Sequence, residues 1–310
     1  MKAIRDVYGE TLAKLGEKNK NIVVLDADVS SSTKSSIFGS QHKERFYNMG
    51  VSEANMLGAA AGLSTMGKIP FVNTFAVFMI NRGADVIRNS ICYSNLNVKI
   101  AGAYSGMSDS YDGATHHSFE DIAYMRAIPN MTIFSVCDEK QTEKIVEKAV
   151  EINGPVYLRL SRAAMPSLYN SNEEFEAGKG KIVKEGNDLT IISTGYLVHK
   201  ALEAAKELEK ENISVRVVDM YSIKPIDREL IVKCAEETKK IITLEEHSII
   251  GGLGSSVSEV LIEEYPIPMK ILGIRDTFTE SGDYEELINK YGLGKNTVKN
   301  TIKDFIKVKR

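Results

Sequence analysis

Glu53 is the second residue of the stretch SEANMLGAAAGLS, where a helix should begin and whose small residues let it approach its neighbours closely. A carboxylate in the first turn of a helix is favoured by the helix dipole. A buried carboxylate at the same place could instead share a proton with a ring nitrogen of a ligand. Spacing leaves both readings open. The segment DGATHHSFED groups Asp112, His116 and His117 and is polar, glycine-bearing and long, the make-up of a binding loop. Adjacent histidines in an extended segment face opposite ways, so at most one serves a single site, and each also has a surface or supporting reading. Arg159 and Arg162 end the apolar run VYLRLSR. Arginines there are commonly solvated or ion-paired, but a guanidinium fork also suits a phosphate because it bonds two oxygens. GGLGSS lacks both GxGxxG and the trailing Lys-Ser/Thr of a P-loop, so it reads as a turn with helix packing. Cys92, Cys137 and Cys234 form no CxxC pair and the 5 histidines show no HxxxH or HxH spacing, so neither a zinc site nor a disulfide framework is indicated.

The elements that must position these residues alternate. Ala3 to Gly16 has apolar residues at helical spacing, and Asn21 to Asp28 is an apolar run stopping on acids, a buried strand. Ile69–Asn73, Val98–Ala103, Met131–Ser135 and Val156–Leu160 are further β-rich runs, with helices predicted over Glu53–Leu63, Ala84–Ser94 and Glu139–Ile152. Such alternation implies βαβ units in a parallel, doubly wound α/β layer. Between Arg162 and Gly186 the pattern gives way to a polar crossover. A second α/β unit follows, with strands over Leu189–Thr194, Ser214–Asp219, Ile241–Glu245 and Met269–Ile274, a helix over Leu197–Lys210, and another opening near Ser255. Ligands sit at the C-terminal ends of strands in such sheets. That places the interest on residues 26–33, 73–78, 104–121 and 158–162.

A chain of 310 residues holds about two domains. Its 43% hydrophobic and 26% charged residues are ordinary for a globular protein. The net charge of −3 gives no field for nucleic acid, and no apolar run approaches the ~20 residues of a membrane span. The first residues, MKAIRDVYGE, carry no signal-peptide pattern, so a cytoplasmic location is expected.

LDADVSSST, GVSEANMLGAAAGLS, FVNTFAVF, DGATHHSFEDIAYMRAIPNM, VYLRLSR and EEHSIIGGLGSSVSE occur in this order. Together they resemble the C-terminal half of transketolase over essentially the whole chain. The resemblance implies two doubly wound α/β domains: a parallel-sheet pyrimidine-binding domain over 1–165, a crossover linker over 166–185, and a smaller C-terminal α/β domain over 186–310. Full-length transketolases carry a preceding domain with a GDG motif for Mg²⁺ and the cofactor diphosphate, and this sequence has no GDG. The chain therefore resembles the C-terminal subunit of a split transketolase. The resemblance implies a thiamine diphosphate cofactor whose diphosphate and Mg²⁺ are held by a separate N-terminal-type subunit, in an α₂β₂ assembly with the site between the two kinds of chain.

The same resemblance assigns roles. Glu53 would bond the aminopyrimidine ring and control its tautomer, while Phe75 and Phe78 would form the ring's aromatic wall. Asp28 would lie near the cofactor or a subunit contact. His116 would bond and move protons at substrate oxygens, Asp112 would contact a donor hydroxyl, and Arg162 and Ser32 would hold the sugar phosphate. Three positions depart from the family pattern: Tyr104 replaces a second substrate histidine, Asn81 a third aromatic, and His117 a glutamine. The implied reaction moves a two-carbon ketol unit from a ketose phosphate to an aldose phosphate. Deoxyxylulose-phosphate synthase and the β subunits of 2-oxo-acid dehydrogenases share the layout. The former is normally a longer single chain; the latter generally lack DGxTH followed by RAIPNM. A non-catalytic regulatory subunit is the reading from another class.

Overall fold

The computed structural model describes residues 2–308. Its first half runs α1 (Ile4–Lys18), β1 (Ile22–Asp26), α2 (Ser30–Thr33), α3 (Ser36–Gln41), β2 (Phe46–Asn48), α4 (Glu53–Thr65), β3 (Ile69–Phe75) and α5 (Ala76–Val86). It continues through β4 (Lys99–Ala103), α6 (Asp121–Ala127), β5 (Thr132–Ser135), α7 (Glu139–Glu151) and β6 (Val156–Arg159). The second half comprises β7 (Lys181–Lys184), β8 (Leu189–Ser193), α8 (Leu197–Glu209), β9 (Val215–Asp219), β10 (Ser222–Lys224), α9 (Arg228–Thr238), β11 (Ile241–Ser248), α10 (Leu253–Glu264), β12 (Met269–Ile274), α11 (Tyr284–Lys290) and α12 (Lys295–Ile306).

Two parallel-dominated sheets result, in the order β10-β5-β6-β4-β3-β1-β2 and β12-β11-β8-β9-β7. Strands β1, β4, β6, β8 and β9 are buried at every residue, which is why they read as apolar-rich runs without alternation. Each sheet has one antiparallel edge: β10 on β5, and β7 on β9. Both edge strands are short and lie where no strand was predicted, β7 inside the polar crossover. β10 belongs by sequence to the second half but completes the first sheet, and one apolar cluster contains Met56 and Ile133 together with Ile192, Val218 and Ile231. The halves thus share a core.

One helix differs from expectation in a way that matters. The segment predicted to become helical at Ala84 is already helical from Ala76, directly after β3, and continues as π-helix over Ile87–Cys92. The four residues Phe75 to Phe78 therefore pass from strand into the first turn. That brings two aromatic side chains three positions apart onto one face.

GGLGSS behaves as a turn for a physical reason. The buried Glu245 carboxylate accepts hydrogen bonds from the Leu253 and Gly254 amides at 2.6 and 2.7 Å, so α10 has its anion from within the chain.

Candidate active site

In the first sheet the strand order reverses around β1, and β6, β4, β3 and β1 present their C-terminal ends side by side. The residues singled out from sequence sit on the loops that leave those ends.

After β1 the fully buried Asp26 accepts hydrogen bonds from the Val29 amide and from the Thr33 and Ser35 hydroxyls at 2.7, 2.8 and 2.7 Å. Burial raises its pKa, and those donors oppose the rise. They bend the chain into α2 and set Ser32 at the sheet end. Asp28 is exposed, has φ 66°, and accepts from Asn48 Nδ2 at 2.7 Å.

After β3, the Phe75 and Phe78 rings stack with centroids 5.8 Å apart. His116 stands edge-on to both, at 6.2 and 5.2 Å, and is half-buried. Its Nδ1 lies 3.0 Å from the Thr115 hydroxyl. Glu53, the first residue of α4, is 3% exposed, and its Oε1 accepts from Arg82 Nη1 at 2.8 Å. The Arg82 guanidinium also lies over the Phe78 ring, 4.2 Å from its centroid. Arg82 therefore joins the carboxylate to the aromatic cluster. Sequence reasoning missed it; its spacing of i+4 from Phe78 on a helix that starts at Ala76 was the available signal.

After β4, Tyr104 takes φ 57° and packs 4.4 Å from the Phe75 ring. Its hydroxyl accepts a hydrogen bond from Arg5 Nη1, which also reaches the Ser32 carbonyl at 3.4 Å. The guanidiniums of Arg5 and Arg162 both lie over the Tyr104 ring, 5.5 and 5.3 Å from its centroid. Ser32, Tyr104, Arg162 and Arg5 thus form one cationic corner beside the aromatic cluster. Arg5 was also missed, although a cation in the first turn of α1 runs against the helix dipole and is a visible anomaly.

The two arginines of VYLRLSR divide. Arg159 is buried and bonded to Asp121 at 2.7 Å, a structural pair. Arg162 keeps 41% of its side chain exposed and donates from Nη1 to Asp109 Oδ1 at 2.8 Å. Asp112 is exposed, with its amide 3.2 Å from the Asp109 carbonyl. Burial raises the pKa of Asp109, and the neighbouring Asp112 raises it further. His117 is buried as a strut: Nδ1 meets the Thr279 hydroxyl at 2.6 Å and Nε2 the Asp109 carbonyl at 3.2 Å. Burial lowers its pKa, although the Asp109 carbonyl and the Asp112 charge oppose the shift. Asn81 is exposed and donates to Glu120 at 3.2 Å. With Val77, Asn81 lines a cavity of about 380 Å³ at the seam between the halves, one helix face away from the aromatic pair.

Residues 1–167 match the family model for the transketolase pyrimidine binding domain, and 178–298 match that for the transketolase C-terminal domain. A transketolase C-terminal section from Methanocaldococcus jannaschii is 45% identical over 310 residues, covering 99% of this chain and 97% of its own length. A subunit of the apulose-4-phosphate transketolase from Phocaeicola vulgatus is 41% identical, with 99% and 98% covered. A solved split-gene transketolase, an inactive tetramer of four β chains, superposes with a TM-score of 0.91 at 52% identity over 99% of each chain. This chain belongs to the transketolase family, as a C-terminal subunit of the split type.

Proposed function

We propose that this chain supplies the pyrimidine-ring and substrate-anion half of a two-subunit transketolase that moves a two-carbon ketol unit from a ketose phosphate to an aldose phosphate. The observation that carries the proposal is the triple contact of Glu53, Arg82 and Phe78. A flat, donor-bearing guanidinium is held between an aromatic face and a buried carboxylate. An aminopyrimidine is likewise flat and donor-bearing, so the residues present fit the ring of thiamine diphosphate. When bound, that cofactor supplies a carbon nucleophile able to cleave and form carbon–carbon bonds.

Glu53 accepts a hydrogen bond from the ring nitrogen and holds the proton there. Among the described residues no donor reaches its Oε2, which is the atom left for this task. Phe75 and Phe78 form the wall that orients the ring and excludes water. His116, edge-on to that wall, donates to and takes protons from substrate oxygens, and Asp112 bonds a donor hydroxyl. Arg162, Arg5 and Ser32 hold the sugar phosphate. Asp28 lies at the cofactor's margin or at the subunit contact. Among the described residues no three His, Cys, Asp or Glu side chains are grouped to hold a metal. We assign Mg²⁺ and the diphosphate to an N-terminal-type subunit in an α₂β₂ assembly; the inactivity of a split-gene relative made of β chains alone supports the need for a second kind of subunit.

The test is ketol transfer from xylulose 5-phosphate to ribose 5-phosphate, measured for this chain alone and after mixing with the N-terminal-type subunit. Activity is expected only in the mixture, and Glu53→Ala should abolish it while leaving the assembly intact on gel filtration. Activity of the chain alone would overturn the shared site, and near-normal turnover of Glu53→Ala would overturn its role. A second reading keeps the cofactor and changes the sugars. Tyr104 in place of a substrate histidine favours it, as does a relative named for apulose-4-phosphate. A mixture that binds thiamine diphosphate but is inert with pentose phosphates would select it.

A further inference from the structure

The Asp109 carboxylate is the one group hydrogen-bonded to the Arg162 guanidinium among the described residues, and it is built in from several sides. Its side chain is 2% exposed, and Oδ2 has no hydrogen-bond partner among those residues. Its carbonyl receives His117 Nε2, whose Nδ1 is anchored on Thr279 of the second half. The backbone amide of Arg162 donates to Ser108 Oγ at 3.1 Å, and that hydroxyl donates to the Ser105 carbonyl at 2.7 Å. Both ends of the Arg162–Asp109 contact are thus tied to the frame, while the guanidinium itself remains 41% exposed.

A guanidinium carries five N–H donors in a rigid fork on a flexible stem. One bond from Nη1 to a fixed carboxylate behind it stops the fork rotating and leaves its other edge forward. The Tyr104 ring, 5.3 Å away, closes one face. Without Asp109 the same arginine would sample many rotamers and lose that freedom each time an anion bound.

We propose that Asp109 is a positioning residue that aims Arg162 at the anionic end of the sugar and thereby sets the preference for phosphorylated over unphosphorylated substrates. The inference rests on the reading of Arg162 as an anion ligand given above, and it adds the group that orients it.

The experiment compares ribose 5-phosphate with ribose as acceptor in the reconstituted pair. The ratio of their kcat/KM values is measured for the unmodified chain, Asp109→Ala, Asp109→Asn, Arg162→Ala and the double variant Asp109→Ala with Arg162→Ala. Asp109→Ala should lower the ratio about tenfold, through KM for ribose 5-phosphate, the size expected for one charge-assisted hydrogen bond. Asp109→Asn keeps an oxygen for Nη1 and fills the same space, so it should fall between the two. It also serves as the test if the alanine variant does not fold. Arg162→Ala should lower the ratio at least as far, and adding Asp109→Ala to it should change the ratio little further. An equal loss for both acceptors in Asp109→Ala and Asp109→Asn, or fully additive losses in the double variant, would reduce Asp109 to a structural role and overturn the proposal. If Arg162→Ala leaves the ratio unchanged, the anion reading of Arg162 fails as well. If Arg162→Ala lowers it and neither Asp109 variant does, only the positioning inference fails.

Discussion

The guanidiniums of Arg5 and Arg162 both lie over the Tyr104 ring. Two cations held this close to one phenol favour an anion arriving between them, since each has donors left over after its contacts inside the chain. Arg5→Ala should therefore raise KM for phosphorylated sugars roughly tenfold, the worth of one charge-assisted hydrogen bond, with a smaller effect on kcat. Steady-state kinetics of the reconstituted pair checks this, and a loss confined to kcat would move Arg5 out of the anion site. Arg5, Arg82 and Asp109 share a reason for being hard to single out in the sequence. Their partners lie 99, 29 and 53 positions away, so whatever local signal each carries does not show which group it meets. Glu53, Phe75, Phe78, His116 and Arg162 stood out because their neighbours in sequence carry a pattern. That pattern located them without revealing which charges hold them.

The close approach of α4 and α5 brings Glu53 to Arg82, and the residue permitting it is not where the sequence pointed. Gly58 and Gly62, in the small-residue run of α4, are exposed, and a Cβ added to either would meet nothing within 4 Å. Ala60 and Ala61 carry the buried side of that run. The tight contact comes from Gly83 of α5, where a Cβ would fall 2.1 Å from Leu57 Cδ1. Composition marks a helix as small but not which side faces its neighbour, and α5 itself was expected eight residues too late, beyond Gly83. Gly83→Ala should cost about 1–3 kcal/mol by overpacking, spreading the helices and loosening the Glu53–Arg82 pair. Gly58→Ala and Gly62→Ala should each gain up to about 1 kcal/mol, the helix propensity difference, with no packing cost within the chain. Urea denaturation of the three variants separates these signs. Equal stability for Gly83→Ala and Gly58→Ala would mean that Leu57 yields without cost and that the helix spacing is set elsewhere.

Across the whole molecule, the alternating pattern gave two α/β layers, but what binds them together could not be read. A three-residue edge strand such as β10 has no periodicity, and its partner β5 lies roughly ninety positions earlier in the chain. The polar side of the seam is equally hidden. Glu246 of β11 accepts from the Met107 amide at 2.6 Å and from Tyr284 Oη at 2.8 Å, and the Glu246 carbonyl accepts from Arg159 at 2.9 Å. Burial pushes the Glu246 carboxyl from 4.5 up to about 7, although Arg159, Tyr284 and the Met107 amide pull the other way. Between those values the folded chain keeps a proton that the unfolded chain has released, so this contribution is whole in acid and is lost as pH rises through 7. His247, beside it and pushed by burial from 6.5 down to about 4, works in the opposite sense, its contribution being lost as pH falls from 6.5 towards 4. The two oppose each other most strongly between pH 4 and 6.5, and His247, untouched by a change at Glu246, contributes equally to the variant and the unmodified chain. The comparison that isolates Glu246 is the difference between the variant and the unmodified chain, taken at pH 6.5 and at pH 8.5, either side of its raised value. Glu246→Gln can keep Oε1 on the Met107 amide and give Nε2 to the Tyr284 oxygen, which can accept, while removing the charge that is costly at high pH. Its melting temperature relative to the unmodified chain should be about 1 °C more favourable at pH 8.5 than at pH 6.5. A difference that does not change with pH would show that Glu246 stays ionised in the folded chain at both values, held by Arg159, and that the seam is an ion pair rather than a shared proton.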